Sequence, residues 1–239
     1  MITYNHVNYI RQAIEGVLMQ NVDFTWELII ADDCSTDGTR EILLEYKRKY
    51  PDFIKLILQE KNVGPRQNWF DLINAPLSKY IAYFEGDDYW TDPLKLQKQV
   101  TFLESNSNYS FCCTNYSTKS EDTGKIEPIQ MIESCFKHSA KNYQITHDNF
   151  IDPYVLKLGT IVYRQSIWLK QREALSKFNC FSDVFFFAML LTEGFGTLFN
   201  DSTTVRRVHI GGTWSLKPDT YHALENLNLF REMKYFYND

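Results

Sequence analysis

"KYIAYFEGDD" (residues 79–88) runs from an apolar stretch straight into three acids and a glycine. Glu85, Asp87 and Asp88 would repel one another unless a positive group sits among them. An apolar run of strand length that ends in clustered polar residues is the pattern of a parallel strand opening on a ligand site. Taken alone, the stretch also fits a solvated acidic turn. Its neighbours in the chain decide between the two.

The same pattern recurs upstream. "WELIIA" (26–31) ends in Asp32 and Asp33, and "FIKLILQ" (53–59) and "YSFCCTNY" (109–116) are further apolar runs of strand length. Between them lie helical stripes: Ile10, Ile14, Val17 and Leu18, then Ile42, Tyr46 and Tyr50 before Pro51. "NWFDLINA" (68–75) reads as a short helix, and Asp92-Pro93 starts another that carries Leu96, Val100 and Leu103. Repeated strand–helix–strand units predict an α/β fold with a mostly parallel central sheet and helices on both faces. Residues 119–152 are polar and lack a period. Beyond them "LGTIVYR" (158–164) reads as strand, Ser182–Thr192 as an apolar helix, and "GTLFN" (196–200) and "TTVRRVH" (203–209) as two strands. The tail from Pro218 is helix-like, with Leu224, Leu227 and Phe230 roughly aligned. No repeat or linker interrupts the chain, so a single domain over 1–239 is expected. Only Met1 and Ile2 precede the polar Thr3-Tyr4-Asn5, so either the first strand is stunted or the chain starts late.

The composition excludes several classes. The 239 residues are 44% hydrophobic and carry a net charge of −5, with no basic surface to neutralise nucleic-acid phosphates. The cysteines Cys34, Cys112, Cys113, Cys135 and Cys180 are odd in number and form no Cys-x-x-Cys pair, against a disulfide framework and a structural zinc site. Cys112 and Cys113 read as small core residues. No leader pattern and no apolar run of membrane-spanning length is present. The expectation is a reduced, cytoplasmic protein, with peripheral association at the inner face of a membrane left open.

If the strands are parallel neighbours, "TYN" (3–5), "DDCSTDGT" (32–39) and "EGDD" (85–88) converge on one sheet edge. Neither a Gly-x-x-x-x-Gly-Lys phosphate loop nor a Gly-x-Gly-x-x-Gly fingerprint occurs. A divalent cation (Mn²⁺ or Mg²⁺) held by carboxylates is the remaining way to bring a diphosphate to so acidic an edge. Adjacent strand residues face opposite ways, so Asp87 and Asp88 are expected to do different work.

"TYNH" (3–6), "DDCSTDGT" (32–39), "NVGPRQN" (62–68) and "EGDD" (85–88), in that order, resemble the motifs of family 2 glycosyltransferases. These are inverting enzymes of the Rossmann-like GT-A fold that use nucleotide-diphospho-sugars. "RVHIGGTWS" (207–215) is similar to a downstream segment of bacterial members. The resemblance implies a nucleotide-sugar half over 1–116, and a smaller acceptor-side half with a C-terminal helix over 117–239. It implies that Thr3, Tyr4 and Asn5 line the base pocket, with Tyr4 against the nucleobase. Asp33 would accept a hydrogen bond from the base beside Asp32, and Arg66 would face the base or the phosphates. Asp87 would hold the ribose or donor sugar, and Asp88 the metal. Asp183 stands where the family places its catalytic base, with Ser182 in place of a preceding acid. Read from its place before Gly211-Gly212, His209 is a candidate to reach the metal or a phosphate, with a structural role beside the turn as the alternative. Arg206 and Arg207 are candidates to neutralise diphosphate, one of the two facing away. Trp90 and Trp214 are candidates to stack on a sugar, with ordinary packing as the alternative.

The function so implied is metal-dependent, inverting transfer of a sugar to a glycan or lipid-linked glycan acceptor, in polysaccharide or glycan assembly. A sugar nucleotidyltransferase and a non-catalytic nucleotide-sugar-binding module are the alternatives. The first of these normally carries a glycine-rich, basic phosphate loop near its amino terminus, which this chain lacks.

Overall fold

The computed structural model describes residues 1–129, 141–150, 156–176, 182–212, 218, 220, 224, 227–231 and 234. Strand β2 (Leu28–Asp32) is buried along its whole length, between β1 (Ile2–Thr3) and β3 (Ile54–Leu58), both parallel to it. Its residues alternate between two cores. Leu28 and Ile30 join one hydrophobic cluster, while Ile29 and Ala31 join the other. That alternation is why the strand reads as unbroken apolar sequence: both of its faces are covered.

Helix α1 (Ile10–Leu18) buries Ile10, Ala13, Ile14 and Val17 on one side. Helices α2 (Thr39–Lys49) and α3 (Pro65–Asn74) follow β2 and β3. Pro65 opens α3 at its first turn, where a missing N–H costs nothing.

The second sheet runs β4–β9–β6–β10–β5. Its strands are β4 (Tyr80–Ala82), β5 (Tyr89–Trp90), β6 (Tyr109–Ser120), β9 (Val162–Arg164) and β10 (Phe195–Val208). β6 and β10 are parallel, whereas β9 and β5 pair antiparallel with their neighbours. This second sheet is therefore mixed; parallel pairing is found in the separate β1–β2–β3 sheet and in the β6–β10 pair. Short strands β7 (Ile126–Pro128) and β8 (Asn142–Ile145) add to β6 and β10. They account for part of the stretch that shows no sequence period; 130–140 and 151–152 of that stretch lie outside the described residues.

β10 is one strand of 14 residues where two were expected. The polar Asn200-Asp201-Ser202 that suggest a break are instead absorbed as register shifts against β6. Helix α4 (Lys95–Ser105) follows Asp92-Pro93 as expected. Helix α5 (Gln165–Leu175) was not anticipated. β9 ends at Arg164 and the helix begins at the next residue, so no glycine, proline or Asx residue marks its start. Helix α6 (Asp183–Leu191) is buried from Phe185 to Leu191 against β6 and β10, as an all-round apolar helix must be. Cys112 and Cys113 are both fully buried and face opposite clusters. Cys135, Cys180 and Trp214 lie outside the described residues. In the tail, 227–231 are helical with Leu229 buried, and Leu224, Leu227 and Phe230 are exposed.

The two sheets meet at a short seam. Ile2 forms an isolated parallel bridge with Glu85, Gly86 N–H donates to Ile2 O at 2.8 Å, and Ile2 N–H donates to Phe84 O at 3.3 Å. The stub strand β1 thus sets the end of β2 beside the end of the β4 segment. A cavity of about 640 Å³, lined by Met1, Trp26, Ile29, Ile81 and Trp90 among others, lies at the opposite, amino-terminal ends of these strands.

Gly86 is what lets the seam close. A Cβ there would stand 2.9 Å from both Cβ and Oγ1 of Thr3 and 3.0 Å from Ile10. Overpacking of this kind costs about 1–3 kcal/mol. Gly86→Ala is expected to lower denaturant-unfolding stability by that amount, which chemical unfolding with fluorescence detection would measure.

Candidate active site

Loop 3–7 and loop 32–39 are woven together by side chains of the two quoted motifs. Asn5 N–H donates to Ser35 Oγ (2.9 Å), and Thr36 N–H donates to Asn5 Oδ1 (2.9 Å). His6 N–H reaches Thr39 Oγ1 (2.8 Å), and Val7 N–H reaches Asp37 Oδ2 (2.9 Å). Asn5 sits at φ +55°, a left-handed conformation that asparagine tolerates better than most residues.

Of the residues expected to hold a nucleoside, several serve the framework. Asp32 is fully buried; it accepts from Ser35 and from Arg40 Nε at 2.7 Å. Asp33 accepts from Val63 N–H (2.7 Å) and Gly64 N–H (3.0 Å), so it ties the loop of "NVG" to the end of β2. Thr3 is buried, with Oγ1 3.2 Å from His6 Nδ1. Tyr4 is 44% exposed at the mouth formed by these loops. Arg66 is exposed at the start of α3. Its Nη2 donates to Ser176 O, and its guanidinium lies 5.0 Å from the centre of the Phe70 ring.

The acids gather beyond the seam. Glu85 has exposed surface, yet it lies in a recess walled by protein and by other carboxylates. Desolvation, with repulsion from Asp87, Asp88 and Asp183, pushes its pKa well above the ordinary value. Asp88 is buried, and burial and the Asp87 charge push it up to about 7 against the pull of the Arg207 backbone N–H. That N–H donates to Asp88 Oδ1 at 2.9 Å. Asp87 behaves differently. Burial would raise it, but the His209 hydrogen bond and the nearby His6 hold it below the usual value. Its Oδ2 is 3.0 Å from His209 Nε2 and 3.9 Å from His6 Nε2, while Oδ1 is buried with no hydrogen-bond partner.

Asp183, at the first turn of α6, stands in the same field as Glu85. Desolvation raises its pKa, opposed by Lys157, Arg206 and the backbone N–H of Leu158. The turn 157–160 thus touches both sides of the site. Leu158 meets Asp183, and a Cβ on Gly159 would be 3.5 Å from Asp88 Oδ2. From beneath, Trp90 Nε1 donates to Gly159 O at 3.1 Å, and the buried Lys95 and Gln99 donate to Thr160 O. Trp90 is 4% exposed, so it packs in the core and offers no face to a sugar. No sequence period pointed to Lys157 or Gly159.

His209 is buried against Asp87 and the ring of Tyr9, whose centroid is 4.6 Å away. Its polar partner is the aspartate, which makes it a brace for Asp87 in this arrangement. Among the described residues no three His, Cys, Asp or Glu form a ready-made cation cage. The donor set still suits a hard divalent ion. Asp87 offers a buried oxygen with no hydrogen-bond partner, and Asp88 is a buried carboxyl beside a like charge. One or two carboxylates completed by substrate phosphates is the usual arrangement for magnesium-like ions.

Comparison with known proteins agrees with this geometry. The family model for glycosyl transferase family 2 matches residues 1–199. A relative bearing the name of a teichuronic acid biosynthesis glycosyltransferase, TuaG of Bacillus subtilis, is 37% identical over 120 residues, 50% of this chain and 46% of its own. Other curated relatives match at 37% identity over 164 residues, and the chain spans 45% of their length. Among solved structures, S. aureus TarS 1–349 in complex with UDP-GlcNAc superposes with a TM-score of 0.70 at 19% identity. That match covers 95% of this chain and 64% of TarS. The mannosyltransferase PcManGT from Pyrobaculum calidifontis, in complex with GDP-Man and Mn²⁺, gives 0.61 at 14% identity, covering 88% and 56%. No helix among the described residues is long and apolar enough to cross a membrane. The fold is that of GT-A glycosyltransferases, and the chain belongs to glycosyl transferase family 2.

Proposed function

We propose that this chain transfers a sugar from a nucleotide-diphospho-sugar to an acceptor hydroxyl with inversion at the anomeric carbon, aided by a divalent cation. The observation that carries the reading is the position of Asp183. It stands at the first turn of α6, near enough to Glu85 for its charge to act on that acid, and burial raises its own pKa. In the transfer, the acceptor oxygen forms its bond to the anomeric carbon as the bond from that carbon to the diphosphate oxygen breaks. The acceptor proton passes to an Asp183 carboxylate oxygen. A base whose pKa is raised toward the working pH takes that proton more readily than an ordinary aspartate. A cation at Asp87 and Asp88 would stabilise charge on the departing diphosphate.

The donor half, 1–116, would hold the nucleotide, and 117–239 would supply the base and the acceptor side. Tyr4 at the mouth would face the nucleobase, while Asn5 ties loops 3–7 and 32–39 together, Asp32 braces the second of them and Asp33 holds the 63–64 backbone. The Mn²⁺ and nucleotide-sugars named with the structural neighbours, and the teichuronic acid name of the relative, support a cation, this donor class and a role in glycan assembly.

Asp183→Asn should leave the donor site intact and lower the transfer rate by about 10²–10⁴-fold, equivalent to roughly 3–5 kcal/mol. Loss of the charge at the start of α6 alone would cost only about 0.3–1 kcal/mol of stability. A transfer rate close to wild type with a lowered melting temperature would reduce Asp183 to a helix cap. The raised pKa also sets a sign for pH. The base works ionised, so the rate should fall on the acid side, around a midpoint above the ordinary aspartate value of 3.8.

Asp88→Ala should abolish the Mn²⁺-dependent part of nucleoside-diphosphate binding, and Tyr4→Ala should weaken binding even without metal. Calorimetric titration with UDP and GDP, with and without Mn²⁺, checks both. Unchanged metal dependence in the first variant, or unchanged affinity in the second, removes that residue from its role.

A further inference from the structure

Arg207 was expected among groups able to neutralise a diphosphate, but its guanidinium is wholly committed to protein. The residue is 5% exposed. Nε donates to Glu121 Oε1 at 2.9 Å, Nη1 donates to the backbone oxygen of Asp87, and Nη2 donates to Gln12 Oε1. The Tyr89 ring lies 4.5 Å and the Tyr9 ring 5.1 Å from the guanidinium carbon. A phosphate would have to displace these bonds from a site it can scarcely reach.

We propose that Arg207 is a positioning residue for the paired aspartates of the 85–88 turn, with Glu121 as its counter-ion. This rests on the reading of that turn as the cation and diphosphate site. One residue fixes both acids, by different atoms. Its backbone N–H holds Asp88 Oδ1, and its side chain holds the carbonyl of Asp87. A peptide oxygen pinned at that point sets the direction in which both side chains leave the turn. Asp87 then meets His209 through Oδ2 and keeps Oδ1 unpaired. The clamp is itself anchored. Gln12 belongs to α1, and Glu121 follows β6, with its own N–H donating to Val208 O at 3.0 Å. Lys119 shares the Glu121 carboxylate, which stays below its usual pKa despite partial burial because of these two cations.

Lysine cannot replace this arrangement. Three acceptors on three elements need the planar fork of a guanidinium, and a point-like ammonium on a shorter reach satisfies them only in part. Partners that orient metal-binding groups typically change metal affinity by about 10–100-fold when lost. The test is calorimetric titration of UDP and GDP, each with and without Mn²⁺, on wild type, Arg207→Lys and Glu121→Gln, with melting temperatures of all three. In Arg207→Lys the affinity gained on adding Mn²⁺ should shrink by about 10–100-fold, while metal-free affinity stays near wild type. Glu121→Gln, which keeps the arginine, should shrink the gain by a smaller factor. A merely structural brace would lower the melting temperature and leave the ratio of affinities with and without Mn²⁺ unchanged, which overturns the proposal. If Arg207→Lys does not fold, an unchanged ratio in Glu121→Gln overturns it equally. A wild type indifferent to Mn²⁺ would instead overturn the cation reading of the turn, and the positioning role with it.

Discussion

The site depends on two backbone hydrogen bonds that close a seam. Ile2 exchanges them with Phe84 and Gly86, and through them a two-residue strand joins two sheets that share no other ladder among the described residues. On one side of the seam is β2, which delivers Asp32 and Asp33. On the other is the segment that delivers Glu85, Asp87 and Asp88. Parallel neighbours end at the same level, so everything polar that follows either strand arrives in one place. The absence of a side chain at Gly86 is a condition for this, since Thr3 occupies the space a Cβ would take.

Once the loops converge, they are held by one another rather than by a bound molecule. Asn5 pairs with Ser35 and Thr36, Asp37 with Val7, Thr39 with His6, and Asp33 with the backbone of the next loop. Asp32, Asp33 and Asp37 spend their oxygens on these loops. Loops already bonded to one another lose little freedom on binding a ligand, which favours binding without demanding more contacts.

Most strands of the first half, and the acids at their ends, were legible because the signal is local in sequence. An apolar strand followed at once by "DDCSTDGT" or "EGDD" announces both element and site in a dozen residues. Long-range contacts gave no such signal. Arg207 meets Asp87 across 120 positions, and the Lys95 contact to Thr160 spans 65. The helix over 165–175 was hidden by the lack of any punctuation after Arg164. Asn200-Asp201-Ser202 read as a turn because polar residues usually end a strand, yet here they are exposed at a register shift that the long β6–β10 ladder tolerates. Position along the chain was therefore a good guide to which residues are acidic and near a strand end. It was a poor guide to which of them are free to bind.

That last distinction is electrostatic. Asp87 and Asp88 are adjacent in sequence and pushed in opposite directions, down by histidine contacts and up by burial beside a like charge. Neighbouring carboxyls driven apart in this way are suited to separate tasks. Asp87 remains an anion whose one oxygen is spoken for by His209 and whose other oxygen has no partner. Asp88 holds a proton more tightly than a free aspartate and gains most from an incoming cation. Asp183 is raised by burial and tempered by Lys157 and Arg206, a balance that suits the proton transfer proposed for it. Arg207 adds no donor to this group of carboxylates beyond its backbone N–H. Its side chain is directed at Glu121 and at the peptide of Asp87, while Arg206 and Lys157 supply the further positive field that tempers the acids.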